Sequence, residues 1–306
     1  MSLTIVLAIL IDFFIGEPKK HHPLAGYGYL ANRVETIFRN PNHTAVQQNM
    51  MGLIALTSLL FPFVFFIYFL NQWEVFSLFL SPIVLYFCIA AKSLKQHSNL
   101  VLQTLETDDL ELAKKKVAMI VSRETEKMTT TDICKATIES ILENGADAVF
   151  APIFWFIVAG PTGAILYRLS NTLDAMWGYK NQRFIHFGWA AARFDDVLNW
   201  IPARLTAVSY ALLGRTTLAF TCWKKQAQLL DSPNAGPVMT AGAGALDIQL
   251  GGPAWYHGKL KNKILFGTKK ITGIDDINRA NSLITQSLFL WVFILLMIDF
   301  LGVFFA

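Results

Sequence analysis

Three stretches of this chain are apolar for long enough to cross a hydrocarbon core: Met51 to Leu70, Val75 to Ala91, and Leu283 to Ala306, which carries a single charge at Asp299. A crossing takes roughly 17 to 25 helical residues. Within lipid a segment must satisfy its own backbone N–H and C=O groups, and continuous apolar runs of this length do so as helices. Residues 1 to 15 form a shorter fourth candidate with Asp12 inside it, expected to end at Gly16-Glu17-Pro18. It lacks the basic start and small-residue cleavage site of a signal peptide and reads as a retained helix. The composition agrees, with 54% apolar and only 16% charged residues and a mean hydropathy of +0.42. The expected fold is an all-α integral membrane protein, a single membrane-embedded domain of about four to five transmembrane or re-entrant helices with a large cytoplasmic helical and loop region.

The net charge of +4 is spread along the chain without a dense basic block, which argues against nucleic acid as a partner. Cys88, Cys134 and Cys222 are too scattered for a disulfide framework or a zinc site. Orientation follows from Lys and Arg. The loop Asn71 to Glu74 has none, residues 16 to 50 hold Lys19, Lys20, Arg33 and Arg39, and residues 92 to 145 hold eight, so both longer segments are expected in the cytoplasm. The run from Gly145 to Tyr167 would export everything after Arg168 if it crossed once. Its break at Ala159-Gly160-Pro161-Thr162-Gly163 favours a re-entrant or interfacial hairpin over a single span, leaving residues 168 to 282 as cytoplasmic catalytic loops. Between the spans, residues 92 to 145 read as solvated helix, with an N-cap at Thr131-Asp132 and a stop at Asn144-Gly145.

Polar residues concentrate between Glu143 and Thr206. Charges packed against apolar surface are costly unless each is paired or meets a charged ligand, so this region is the expected polyanion site. Asn171 and Asp174 share a helix face, and Gly178 permits a turn that brings Lys180, Asn181 and Arg183 back toward them. Acid and amide together suit Mg²⁺; helix capping explains them equally well. Arg193, Asp196 and Asn199 recur at helical spacing, with Arg193 and Arg204 either clamping an anion or, for Arg193, pairing with Asp196. Asp195 and Asp196 cannot face the same way. Near the first helix, Asp12, Glu17 and His21 or His22 form either a substrate-facing lip or, at His22-Pro23, a structural turn. The stretch from Leu230 to Leu260 is glycine-rich and reads as loop, with Ser232 and Asn234 at its start; it matches no nucleotide fingerprint.

Five separated motifs, DFFIGEPKKHHPLAGYG, ENGADAVFAP, NTLDAMWGYKNQRFIHFGWAAARFDDVLNWIPARLTA, DSPNAGPVMTAGAGAL and LGGPAWYHGKL, together resemble the CobD/CbiB family of cobalamin biosynthesis, the adenosylcobinamide-phosphate synthases. The match runs in order over nearly the whole chain. The resemblance implies a membrane ligase that joins a carboxylate of adenosylcobyric acid to aminopropanol or its phosphate, with ATP and Mg²⁺ expected and the later membrane enzymes of nucleotide-loop assembly as associates. The other classes are a sensor or structural relative of the AmpE type, which needs no ligase site, and a transporter, which should show two related halves where no internal repeat is visible.

Amide formation requires an activated carboxylate, most simply an acyl phosphate, and a neutral amine, so phosphate positioning and charge neutralisation would dominate catalysis. By residue type, Glu17, Asp147, Asp174, Arg193 and Asp196 are the candidate catalytic residues, Glu17 as the base for the incoming ammonium. Asp147, Asp174 and Asp195 are the candidate metal ligands. Asp12, His22, Asn171, Lys180, Asn181, Arg183, Asn199, Arg204, Ser232 and Asn234 are expected to bind substrate or phosphate.

Overall fold

The structure, a computed structural model, describes residues 1–18, 22–256 and 258–305. Lys19 and Lys20 of the basic count, and His21 of the expected lip, lie outside the described residues. In chain order the helices are α1 (Ser2–Ile15), α2 (Pro23–Phe38), α3 (Ala45–Leu70), α4 (Glu74–Cys88), α5 (Ala91–Glu106), α6 (Leu110–Val117), α7 (Thr130–Gly145), α8 (Ala151–Trp177), α9 (Trp189–Leu198), α10 (Trp200–Leu213), α11 (Thr216–Gln226) and α12 (Ala235–Leu246). Four short strands follow, β1 (Gln249–Gly251), β2 (Ala254–Tyr256), β3 (Lys259–Lys261) and β4 (Leu265–Gly267), then α13 (Asp275–Phe305). The protein is a helical membrane protein: four helical runs, Ala45–Leu70, Ser77–Glu106, Thr130–Trp177 and Asp275–Gly302, are long and apolar enough to cross a bilayer.

Several boundaries differ from the sequence reading for local reasons. The second helix of the apolar set starts at Ala45, not Met51, because Thr44 and Gln47 form a capping box and polar but uncharged residues fill its first turns. Helix α7 is capped by Thr129 with Asp132, two residues before the expected cap. Asn144-Gly145 does not stop it: the backbone widens into a π-helical turn, Ala146–Phe150, and runs on into α8. The break at Ala159 (φ −140°, ψ 23°) and Gly160 (φ 60°) divides α8, with Pro161 opening the second half. A Cβ on Gly163 would overlap the carbonyl oxygen of Trp155 and lie 2.8 Å from the Ala159 Cβ, so the chain turns sharply back on itself at this point. Residues 235–246, read as glycine loop, form a helix buried except at Met239, and its small residues serve packing: a Cβ on Gly244 would come within 2.7 Å of the Ala219 Cα.

The chain divides into two compact units, each made of two segments. The first comprises residues 1–90 and 147–200. In it α8 packs on α2, α3, α4 and α9, around a core of Tyr27, Leu56, Leu59, Leu173, Trp177 and Phe187. The Tyr86 hydroxyl donates to the Gly16 carbonyl at 2.6 Å and ties α4 to the end of α1. Exposed Phe61, Phe65, Phe66 and Phe69 line the outside of α3, as a helix in lipid requires. The second unit comprises residues 91–146 and 201–306. There α7 packs on α5, α12 and α13, α11 lies along α12, and the strands pair antiparallel as β1 with β4 and β2 with β3.

Candidate functional site

The second half of α8 carries Tyr167, Asn171 and Asp174 at intervals of four and three, a spacing that sets them along one helix face, with Ser170 beside them. Facing them is α9, with Asp195 one turn before Asn199 at its C-terminal end. The Asn171 amide donates to the Asp195 carboxylate at 3.2 Å, and the Asn199 amide donates to Asp147 on the π-turn at 2.6 Å. The Trp155 indole donates to the Leu198 carbonyl at 2.9 Å and fixes the end of α9, while Tyr167 packs against Ala151 and Leu198. A seam of acids and amides therefore joins three elements of the first unit. Asp195 and Asn199 form its buried wall, at 7% and 3% exposed, and Asp147 and Asp174 are only half-buried.

Burial pushes the Asp195 carboxyl well above the usual carboxylate range, the charges of Asp147 and Asp174 push it further, and the Asn171 hydrogen bond opposes them only in part. Asp196, next in sequence, points elsewhere: burial raises its pKa too, but Arg193 and Lys180 pull it back. Among the described residues, the Tyr167 hydroxyl, the Ser170 hydroxyl and the Asn199 Oδ1 are buried without a hydrogen-bond partner. Each such group costs about 1 to 3 kcal/mol if it stays unsatisfied. The donor set is oxygen throughout, the kind a hard cation takes, yet among the described residues no three His, Cys, Asp or Glu side chains stand together as a metal-binding group. Of the three carboxylates expected to hold a metal, Asp147 takes the Asn199 amide and Asp195 the Asn171 amide as partner.

Other expected site residues are engaged elsewhere. Arg183 makes a two-pronged pair with Glu35, at 2.8 and 3.0 Å, and Glu35, 2% exposed, also takes Arg39. Arg193 pairs with Asp196 at 3.2 Å on an exposed face. His22 caps α2, its Nδ1 accepting from the Leu24 N–H at 3.2 Å, so the structural turn describes it. Asn181 accepts from the Phe184 N–H at 3.0 Å, and Lys180 is exposed. Asp12 is buried on α1 and Glu17 is exposed. Gly178 does not need a left-handed turn. Its Cβ would overlap the Asp174 carboxylate, which folds over the end of α8.

In the second unit, Arg204 donates to the Asn234 Oδ1 at 3.4 Å, and the Ser232 hydroxyl accepts from the Asn234 and Ala235 N–H groups, holding the turn into α12. Ser232 also lines an open cavity of about 420 Å³ with Arg123, Glu139, Ser140 and Lys263. In its wall Glu139 takes Arg123 and the Gly251 N–H, the latter at 2.7 Å. Sequence reasoning missed Tyr167, which closes an apolar run, and Ser170, although their spacing to Asn171 and Asp174 marks the same face. It also missed Glu35, whose partner lies far away in sequence.

A family model described as CobD/Cbib protein matches residues 5–284. The chain is similar to a cobalamin biosynthesis protein CobD of Chromobacterium violaceum, 47% identical over 95% of this chain and 94% of that protein. One from Stutzerimonas stutzeri is 46% identical over 96% of each, and one from Mycobacterium tuberculosis 32% identical over 91% of this chain and 90% of that protein. No solved structure matches.

Proposed function

The chain belongs to the CobD/CbiB family of cobalamin biosynthesis proteins, and from that premise we propose that it is a membrane ligase that condenses a carboxylate of adenosylcobyric acid with the amine of aminopropanol or its phosphate at the expense of ATP. The observation that carries this reading is the seam of Asp147, Asn171, Asp174, Asp195 and Asn199, polar groups set into an apolar helical unit whose desolvation the amide hydrogen bonds offset in part and a charged guest would offset further. Asp195, whose carboxyl burial holds above the usual carboxylate range, is in its ionised form a stronger base than an ordinary aspartate and suits the deprotonation of an ammonium. That role replaces the one expected of exposed Glu17. Mg²⁺, entering with ATP, would neutralise phosphate charge while taking one or two carboxylates and keeping water and phosphate oxygens for the rest. Half-buried Asp174, beside Asn171, is the residue that fits it. The basic residues of segments 92 to 145 and after 168 support a cytoplasmic position for this chemistry at the cell membrane.

The test is reconstitution. Purified full-length protein is given adenosylcobyric acid, Mg-ATP and either amine, and the corrinoid products are separated and weighed by mass spectrometry. The expected result is one new amide per ATP consumed, lost in Asp174→Ala at unchanged protein level. Wild-type protein that makes no amide with either amine refutes the ligase reading.

A further inference from the structure

The groups left over in the seam share a chemical character. Asn199 Oδ1 can only accept a hydrogen bond, and its amide nitrogen is already spent on Asp147. The Tyr167 and Ser170 hydroxyls are both 0% exposed, one turn apart on α8, and have no partner among the described residues. Asp195 lies one turn before Asn199 on α9 and shares the field of Asp147 and Asp174, and among the described residues the group that relieves it is the neutral Asn171 amide. The Arg168 charge reaches Asp147 and Tyr167, but among the described residues no cationic partner is seen for Asp195. A primary ammonium supplies three N–H donors and no acceptor. A metal ion would also answer the charge, but it asks for carboxylates gathered around one point, and none are so gathered among the described residues.

We propose that the α8–α9 seam binds the ammonium group of the amine substrate, with Asp195 and Asn199 Oδ1 as acceptors and the Tyr167 hydroxyl as the third contact. This rests on the ligase reading for the identity of the amine and assigns it a place. Tyr167 is then a substrate-contacting residue hidden in an apolar run. Its hydroxyl also distinguishes a functional role from a structural one. A buried hydroxyl without a partner weakens the free protein, so Tyr167→Phe, which removes that oxygen alone, should raise the thermal midpoint while weakening the amine.

The experiment measures binding by thermal shift and calorimetry on the full chain in detergent, with three probes: 1-amino-2-propanol phosphate, 1,2-propanediol phosphate, which lacks the amine, and MgCl₂ alone. The expected result is protection by the amine probe and at least tenfold weaker protection by the diol. Asp195→Asn should abolish the difference between the two. Tyr167→Phe should have a higher midpoint without ligand and about tenfold weaker amine affinity. The inference is overturned if both phosphates protect equally, if Tyr167→Phe and Asp195→Asn bind the amine as wild type does, or if MgCl₂ protects through Asp195 and the amine does not. Its failure is separable from that of the ligase reading. Amide formation in wild type with amine affinity unmoved by both variants sinks the seam alone, and amine binding lost in Asp195→Asn without any amide product supports the seam while sinking the ligase.

Discussion

Gly52 on α3 lies against the turn that delivers α9, and replacing it with alanine tests whether that contact positions the site. A Cβ there would overlap the Phe187 carbonyl oxygen and lie 2.9 Å from its carbon and 3.3 Å from its Cα. The obstacle is backbone, so no rotamer change relieves it, and either α3 or residues 182–188 must move by several tenths of an ångström. Overpacking of this kind costs about 1 to 3 kcal/mol, against which alanine in a helix returns roughly 0.5 to 1 kcal/mol. A net loss of about 1 to 2 kcal/mol lowers the midpoint by roughly 2 to 3 °C in a protein of this size. Because Phe187 leads through Gly188 directly into α9, the displacement reaches Asp195 and Asn199, and amide synthesis should fall more than tenfold although no chemical group is removed. Gly26→Ala on α2 is the control: nothing lies within 4 Å of its Cβ, so the same substitution should stabilise or be neutral. Thermal unfolding followed by fluorescence and the mass-resolved product assay measure both quantities. Gly52→Ala with wild-type midpoint and rate would refute the claim that this contact sets the position of α9.

Arg193→Lys should keep activity within about twofold, since an exposed Arg193–Asp196 pair contributes less than about 1 kcal/mol; a large loss in the product assay would restore the anion clamp. Asp195→Asn should raise the midpoint at neutral pH. The fold holds the Asp195 proton more tightly than the unfolded chain does, so its contribution falls as pH rises from the ordinary carboxylate range through the raised value, and the amide removes that dependence. A pH series of midpoints checks this, and a variant destabilised equally at pH 5 and pH 7 contradicts it. Cysteines introduced at Gln182 and Asn262 should resist a membrane-impermeant thiol reagent in intact cells and react after lysis. The native Cys88, Cys134 and Cys222 are buried and should give little background.

The membrane helices were legible because lipid imposes a one-dimensional rule, a length of uncharged residues. The rule blurred at Ala45–Met50, where amides stand inside a helix, and at residues 249–267, where strands of three residues leave no periodic signal. The glycines misled in both directions. Those of 235–246 read as loop and are helix packing, while Gly160 marks a true break. In the site, adjacency along one helix was readable: Asn171 with Asp174, and the divergence of Asp195 from Asp196. Pairings across the fold were not. Nothing local to Arg183 points to Glu35, and nothing local to Asn199 points to Asp147. Tyr167 was hidden for a third reason, that a hydroxyl inside an apolar run looks like core until its missing partner is seen.

The two units are interlaced along the chain, each begun before the other is finished. During synthesis the segment 147–200 must find residues 1–90 across an excursion that cannot yet complete its own unit, because its partners lie in 201–306. The entropy of closing that loop grows only by about 0.6 kcal/mol per doubling of length, so the delay itself is thermodynamically mild, but residues 91–146 wait with apolar faces uncovered until the last third of the chain emerges. A ribosome stalled far enough past Trp200 for that residue to clear the exit tunnel would therefore present every residue of the acid seam together with an unfinished helical flap. The order of translation thus makes the second unit the late and aggregation-prone step of biogenesis.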